Sequence, residues 1–279
     1  MYSTLLSCSE LAPRLGDPGW LVLDCRNELV DGEAGRRAFA AGHIPGAHHV
    51  HLERTLSGPI TGRTGRHPLP EPEAFAERMR ALGLRTGMQV VAYDAMGGVM
   101  ASRLWWMLRW LNHPSVAVLN GGWKAWLDAG QPVSTEIPSP SRGDFRGIAQ
   151  DLTVNAEFLQ RHLGDPGVVL VDARSADRFR GENETLDPIG GHIPGARNRP
   201  YSENLTAQDT FKTPIQLRQE LDRLLAGSAS GCIVHQCGSG VSACHNALAM
   251  EIAGLTGSRL YPGSWSEWCA DPARPIARG

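Results

Sequence analysis

Ile233-Val-His-Gln-Cys237-Gly-Ser-Gly-Val-Ser-Ala-Cys244-His-Asn-Ala-Leu-Ala-Met-Glu-Ile-Ala253 is the stretch from which the fold can be read. The short apolar run around Ile233 and Val234 has the character of a buried strand, and Val241 to Ala253 has the apolar spacing and alanine content of a helix. Cys237 therefore falls at a strand-to-helix turn. Gly238 and Gly240 let the backbone curl with positive φ where needed, so that several N–H groups point at one spot beside a helix N-terminus. Such a spot favours negative charge. A free thiol, with a pKa of about 8.5, is only a few per cent thiolate at neutral pH. Inward amides and a helix dipole favour the thiolate, by about 1.4 kcal/mol for each unit of pKa lowering. Cys237 is a candidate nucleophile, set against the alternative of an inert core cysteine.

Outward from this unit, the chain repeats itself. Trp20-Leu-Val-Leu-Asp24-Cys-Arg26 is followed, nineteen residues after the Asp, by His43-Ile-Pro-Gly-Ala47. Val168-Val-Leu-Val-Asp172-Ala-Arg174 is followed, twenty residues after its Asp, by His192-Ile-Pro-Gly-Ala196. Gly121-Gly-Trp123-Lys-Ala-Trp126 likewise answers Gly263-Ser-Trp265-Ser-Glu-Trp268. Each half reads as a buried strand ending in Asp-x-Arg, a helical or loop stretch, His-Ile-Pro-Gly-Ala, a helix and another apolar strand. In the first half that last strand is Gln89 to Tyr93, followed by a turn and a helix from about Met100 to Leu111.

Continuous apolar strands alternating with helices indicate an α/β fold of two tandem domains, each a mostly parallel central sheet flanked by helices on both faces. Ligands of such sheets sit beyond the carboxyl ends of the strands, where Cys237 lies. Glu136 to Asp144 is rich in Pro, Ser and Gly and has no regular period. The expected division is a non-catalytic domain over 1–137, a linker over 138–150 with its boundary near 145, and a catalytic domain over 151–279. Aligning the two turns places Asp94 opposite Cys237, so the first half carries the fold without the nucleophile. Its carboxylate is expected to repel an anionic substrate.

Composition narrows the class. A chain of 279 residues with 42% hydrophobic and 20% charged residues describes a soluble globular protein, long enough for two domains. A formal net charge of -2 provides no basic field for nucleic acid and no polybasic membrane patch. The N-terminus lacks the cationic start and apolar core of a signal peptide, and no apolar run reaches membrane-spanning length, so a cytoplasmic location is expected. The six cysteines read as free thiols. Zinc at Cys232, His235, Cys237, Cys244 and His245 is not expected, because strand residues three apart face opposite sides and no paired C-x-x-C is present. Cys244 lies about two helical turns beyond Cys237, too far for a disulfide. The Trp side chains of Arg103 to Trp110 read as core. Asp24/Arg26, Asp172/Arg174, His43 and His192 occur in both halves, including the one without a nucleophile, and read as structural.

The duplicated His-Ile-Pro-Gly-Ala segments, Cys237-Gly-Ser-Gly-Val-Ser-Ala243 and Tyr261-Pro-Gly-Ser-Trp-Ser-Glu-Trp268 together resemble the two-domain rhodanese family of sulfurtransferases, over essentially the whole chain. The resemblance implies that Cys237 takes a sulfane sulfur from a small anionic donor as a persulfide, without metal or organic cofactor. The sulfur then passes to cyanide, a thiol or a protein acceptor. Thiosulfate-type members usually carry cations in the loop after the Cys; Gly238, Ser239, Gly240 and Val241 resemble the 3-mercaptopyruvate type. Carried over position by position, Ser239 and His67 form a proton relay, Glu53 is an acid supporting His67, and Arg178 grips the donor carboxylate. The second carboxylate-binding Arg of the mercaptopyruvate type is missing from Gly181-Glu-Asn-Glu-Thr-Leu-Asp-Pro-Ile-Gly-Gly191, which leaves Arg197 or Arg199 as substitutes from beyond the motif. One lost bidentate contact weakens a carboxylate donor by ~1.5–3 kcal/mol. Thiosulfate as donor, and a persulfide carrier for a protein partner, stand as alternatives. Cys-dependent phosphatases need an Arg six positions after the Cys, where Ala243 stands here.

Overall fold

In the computed structural model, which describes residues 1–225 and 232–279, the chain separates into two compact units. The first comprises Met1–Gly58, Pro70–Asp151 and Ala207–Phe211; the second comprises Pro59–Leu69, Leu152–Thr206 and Lys212–Gly279. Two segments thus depart from the division expected at the linker. Pro59–Leu69 packs with the second unit, and Ala207–Phe211 with the first.

The first unit is built on a five-stranded sheet of β1 (Leu5–Leu6), β2 (Trp20–Asp24), β3 (His48–His49), β4 (Gln89–Tyr93) and β5 (Val116–Leu119), in the order β1-β5-β4-β2-β3. All its pairings are parallel. Helices cover such a sheet on both faces, which is why β4 and β5 are buried at every position rather than at alternate ones. The helix Val99–Trp110 follows β4 and is buried nearly all round, with Trp105, Trp106 and Trp110 packed inside. Residues 138–150 contain no helix or strand, yet they do not hang free. Gly143 N–H donates to the Arg80 carbonyl at 2.8 Å, Gln150 N–H to that of Trp110 at 2.8 Å, and Phe145 is buried, so the expected linker is fastened along the first unit.

The second unit repeats the plan with β6 (Val168–Asp172), β7 (Arg197–Asn198), β8 (Cys232–Gln236) and β9 (Arg259–Leu260), in the order β7-β6-β8-β9 and again all parallel. β6 and β8 pair in register from Val168 with Cys232 to Asp172 with Gln236, which brings the Asp172-Ala-Arg174 corner beside the start of the Cys237 turn. Tyr261, Trp265 and Trp268 close the core over Leu170, Ile193 and Val234.

The repeated polar residues are structural in each unit. Arg26 forks onto Asp24 and donates to the Gly42 carbonyl at 2.6 Å; Arg174 forks onto Asp172 and donates to the Gly191 carbonyl at 2.7 Å. Each Arg therefore ties the residue before His-Ile-Pro-Gly-Ala to the strand end. His43 and His192 stack on Phe39 and Phe179 at 3.9 and 3.7 Å, and each bonds through Nδ1 to the carbonyl of that same Phe. No helix of the described residues is long and apolar enough to cross a membrane.

Candidate active site at the Cys237 turn

β8 ends at Gln236, and the next helix runs over Ala243–Ile252, two residues shorter at its start than its apolar spacing predicts. Cys237 occupies the turn between them and is 2% exposed. Its Sγ accepts the Gly240 N–H at 3.2 Å. Gly240 holds φ at +80°, and a Cβ there would meet the Pro262 carbonyl oxygen at 2.5 Å, so this position requires glycine. Gly238 does not adopt positive φ.

The start of the short helix Ser264–Trp268 clamps the turn. Cys237 N–H donates to Ser264 Oγ at 3.1 Å, Trp265 N–H to the Cys237 carbonyl at 3.0 Å, and Ser266 N–H to that of Gly238 at 2.9 Å. Ser264 has φ +53°, uncommon for a residue with a side chain, and its Oγ also donates to the Tyr261 carbonyl at 2.9 Å. Its counterpart Gly122 has φ +55°, and the following Trp123 N–H bonds the Asp94 carbonyl at 2.7 Å. The S–H of Cys244 donates to the Gly240 carbonyl at 3.4 Å and braces the turn from the helix side.

The equivalent turn of the first unit shows what such a backbone holds. Asp94 is buried, with Oδ1 accepting the N–H groups of Met96 and Gly98 and Oδ2 those of Met100 and Ala101, at 2.7–2.9 Å. The carboxylate expected to repel a substrate is turned inward and occupies the anion cradle itself. Burial pushes its pKa upward, with the four N–H groups opposing.

Around Cys237 the second unit assembles two polar pairs. Ser239 Oγ and His67 Nδ1 are 2.8 Å apart and both residues are buried. His67 reaches this place because Pro59–Leu69 packs on residues 263–266: a Cβ on Gly65 would meet the Gly263 carbonyl oxygen at 2.4 Å, and Arg66 N–H donates to Ser266 Oγ at 3.1 Å. The second pair involves arginines. Arg178 forks onto Glu184, with Nη2 at 2.7 Å from Oε1 and Nε at 3.1 Å from Oε2. Arg66 is ion-paired with Asp187. A Cβ placed on Gly238 would lie 3.0 Å from Arg66 Nη2 and 3.5 Å from Arg178 Nη2, so both guanidinium groups border the residue after Cys237.

The cation that accompanies Arg178 is therefore neither of the two substitutes considered from the sequence. Arg197 donates to the Leu224 carbonyl at 2.5 Å, while Arg199 is buried against Asn204 and Glu220, each at 2.9 Å. Arg66, lying more than a hundred and seventy residues before the turn, was missed; its adjacency to His67 is the signal that finds it. Glu53 belongs to the first unit, where its side chain is exposed, and the cluster built by the second unit does not include it. Val241 is buried at 5% exposure and packs at the base of the turn. Among the described residues, no group of three or more His, Cys, Asp or Glu side chains is placed to hold a metal ion. A buried cysteine in a glycine-bounded turn, with an adjacent Ser–His pair and bordering cations, suits nucleophilic attack on an anionic sulfur compound.

Comparison with known proteins points the same way. The family model described as Rhodanese-like domain matches residues 7–129 and 155–271. The chain is 48% identical over 278 residues to the probable 3-mercaptopyruvate sulfurtransferase of Pseudomonas aeruginosa, covering 99% of this chain and 98% of that protein. It is 38% identical over 282 residues to a putative thiosulfate sulfurtransferase of Mycobacterium tuberculosis, covering 99% and 97%. The solved 3-mercaptopyruvate sulfurtransferase from Leishmania major superposes with a TM-score of 0.84 at 31% identity, over 95% of this chain and 74% of that one.

Proposed function

This chain belongs to the rhodanese family, with a Rhodanese-like domain in each half, and we propose that it is a sulfurtransferase working through a persulfide on Cys237, with 3-mercaptopyruvate as the favoured donor. The observation that carries the reading is the Gly240 N–H held 3.2 Å from Cys237 Sγ in a turn whose twin cradles a carboxylate. The same backbone supports a thiolate before reaction and a persulfide after it.

The Cys237 thiolate attacks the donor sulfur and the S–S bond forms as the donor's C–S bond breaks. The bonding pair passes into the carbonyl, leaving pyruvate enolate; the proton given up by the donor thiol returns to the enolate carbon through Ser239 and His67. Arg178 holds the donor carboxylate. A thiol, cyanide or a protein thiol then attacks the outer sulfur and regenerates the Cys237 thiolate, so the kinetics are ping-pong. No resident metal or organic cofactor takes part.

A second reading, thiosulfate as donor, is favoured by one observation: Arg66 and Arg178 both border Gly238. In that case the S–S bond of thiosulfate breaks and sulfite departs with the electron pair. Steady-state kcat/KM for the two donors, with cyanide and with a small thiol as acceptors, decides between them. Cys237→Ser is expected to abolish turnover with both, and retained activity would sink the proposal.

A further inference from the structure

The carboxylates beside Cys237 invite a separate reading, because the two arginines that border Gly238 are already occupied. Asp187 is the residue common to both. Its Oδ1 pairs with Arg66, its Oδ2 lies 3.5 Å from Arg178 Nη2, and its side chain is only 3% exposed. Oδ2 has no hydrogen-bond partner among the described residues, although it is fully buried. Glu184 fills the other side of the Arg178 fork and also accepts the N–H groups of Leu186 and Asp187, at 2.9 and 3.1 Å. Arg178 and these N–H groups hold Glu184 below the usual range against the opposing effect of burial. For Asp187 burial prevails and pushes the pKa up, against Arg66.

Leaving Cys237 itself aside, the paired charges around the turn sum to zero before any donor arrives: Arg66, Arg174 and Arg178 against Asp172, Glu184 and Asp187. A buried carboxylate with one unsatisfied oxygen between two guanidinium groups occupies the kind of position a donor's anionic end requires. Arginine forks carry enough N–H donors to share between Asp187 and one further negative charge, but a second charge meets a site whose paired charges leave no net positive excess.

Resting on the sulfurtransferase reading above, we propose that Asp187 is the specificity-determining residue of this site. It stands in for the donor anion between Arg66 and Arg178, so that the site takes a donor bearing one negative charge, such as a 2-oxo acid thiol, and discriminates against a dianion such as thiosulfate. Asp187 acts through the two arginines and touches no reacting atom; it is a positioning residue.

The test is the ratio of kcat/KM for thiosulfate to that for 3-mercaptopyruvate, measured on the full chain with cyanide as acceptor. Asp187→Asn, nearly isosteric, frees one positive charge, and the dianion gains from it twice over; the ratio is expected to rise about tenfold or more. Arg66→Gln is expected to move the ratio the opposite way. General damage to the fold lowers both donors together and leaves the ratio unmoved. An active wild type whose ratio is unchanged in a folded Asp187→Asn variant would overturn the proposal. If that variant does not fold, an unchanged ratio in Arg66→Gln overturns it instead. A wild type that turns over neither donor sinks the sulfurtransferase reading and this inference with it.

Discussion

Ser239 and His67, 2.8 Å apart, matter to the reaction only when the leaving group needs a proton. Pyruvate enolate does, and sulfite departs as a stable anion. His67→Ala and Ser239→Ala are therefore expected to lower kcat with 3-mercaptopyruvate by about a hundredfold, a usual size for general acid–base catalysis, while thiosulfate turnover falls much less. Equal losses with both donors would remove the relay from the mechanism. The placing of Cys237 and Ser239 in one strand-to-helix turn was legible because that turn is local, whereas the roles expected of Ser239, His67 and Arg178 came only through the family resemblance. Arg66, Asp187 and Ser264 were not legible, since each acquires its role from a neighbour distant in the chain. Arg66 meets Asp187 across 121 residues, and Ser264 meets the Cys237 N–H across 27.

At the scale of the element, the same strand-turn-helix unit holds a different group in each half: four N–H groups hold the Asp94 carboxylate, and the Gly240 N–H bonds Cys237 Sγ. Asp94→Ala leaves four inward N–H groups without partners. With each unsatisfied group costing about 1–3 kcal/mol and relaxation recovering part, a loss of roughly 3 kcal/mol or more in unfolding free energy is expected, read by urea denaturation. A loss under about 1 kcal/mol would mean that water replaces the carboxylate. Gly240→Ala is expected to destabilise the second unit by about 1–3 kcal/mol and to lower the reactivity of Cys237 toward alkylating agents, since φ +80° and the Pro262 carbonyl both oppose a Cβ. An unchanged alkylation rate would show that the Gly240 N–H does not support the thiolate. The strands Trp20–Asp24, Gln89–Tyr93, Val168–Asp172 and Cys232–Gln236 and the helices Val99–Trp110 and Ala243–Ile252 followed from apolar runs and spacing. The fastening of residues 138–150 did not, because backbone hydrogen bonds from an irregular segment leave no periodic trace.

For the molecule as a whole, acid stability is set partly by His235. It is fully buried, with Nε2 3.1 Å from Met250 Sδ and Nδ1 without a hydrogen-bond partner among the described residues, and burial lowers its pKa to about 3. The unfolded chain takes up this proton near pH 6.5, whereas the folded protein does so only near pH 3. Unfolding thus binds a proton in that window, and the stability contributed by neutral His235 is complete above pH 6.5 and lost as pH falls toward 3. The slope approaches about 1.4 kcal/mol per pH unit. His235→Leu is expected to flatten the stability profile between pH 6 and 4 relative to wild type, measured by denaturant unfolding; parallel profiles would show that His235 titrates normally.

The duplicated motifs, the apolar strands and the glycine-bounded Cys237 turn determined the α/β class, the repeat and the candidate nucleophile, because periodicity and turn chemistry are properties of neighbouring residues. Tertiary structure alone decided that Pro59–Leu69 joins the second unit, that Arg66 supplies the second cation and that Glu184 and Asp187 neutralise it and Arg178. Charge balance in a buried site depends on distances between segments remote in sequence, and those exist only once the chain has packed.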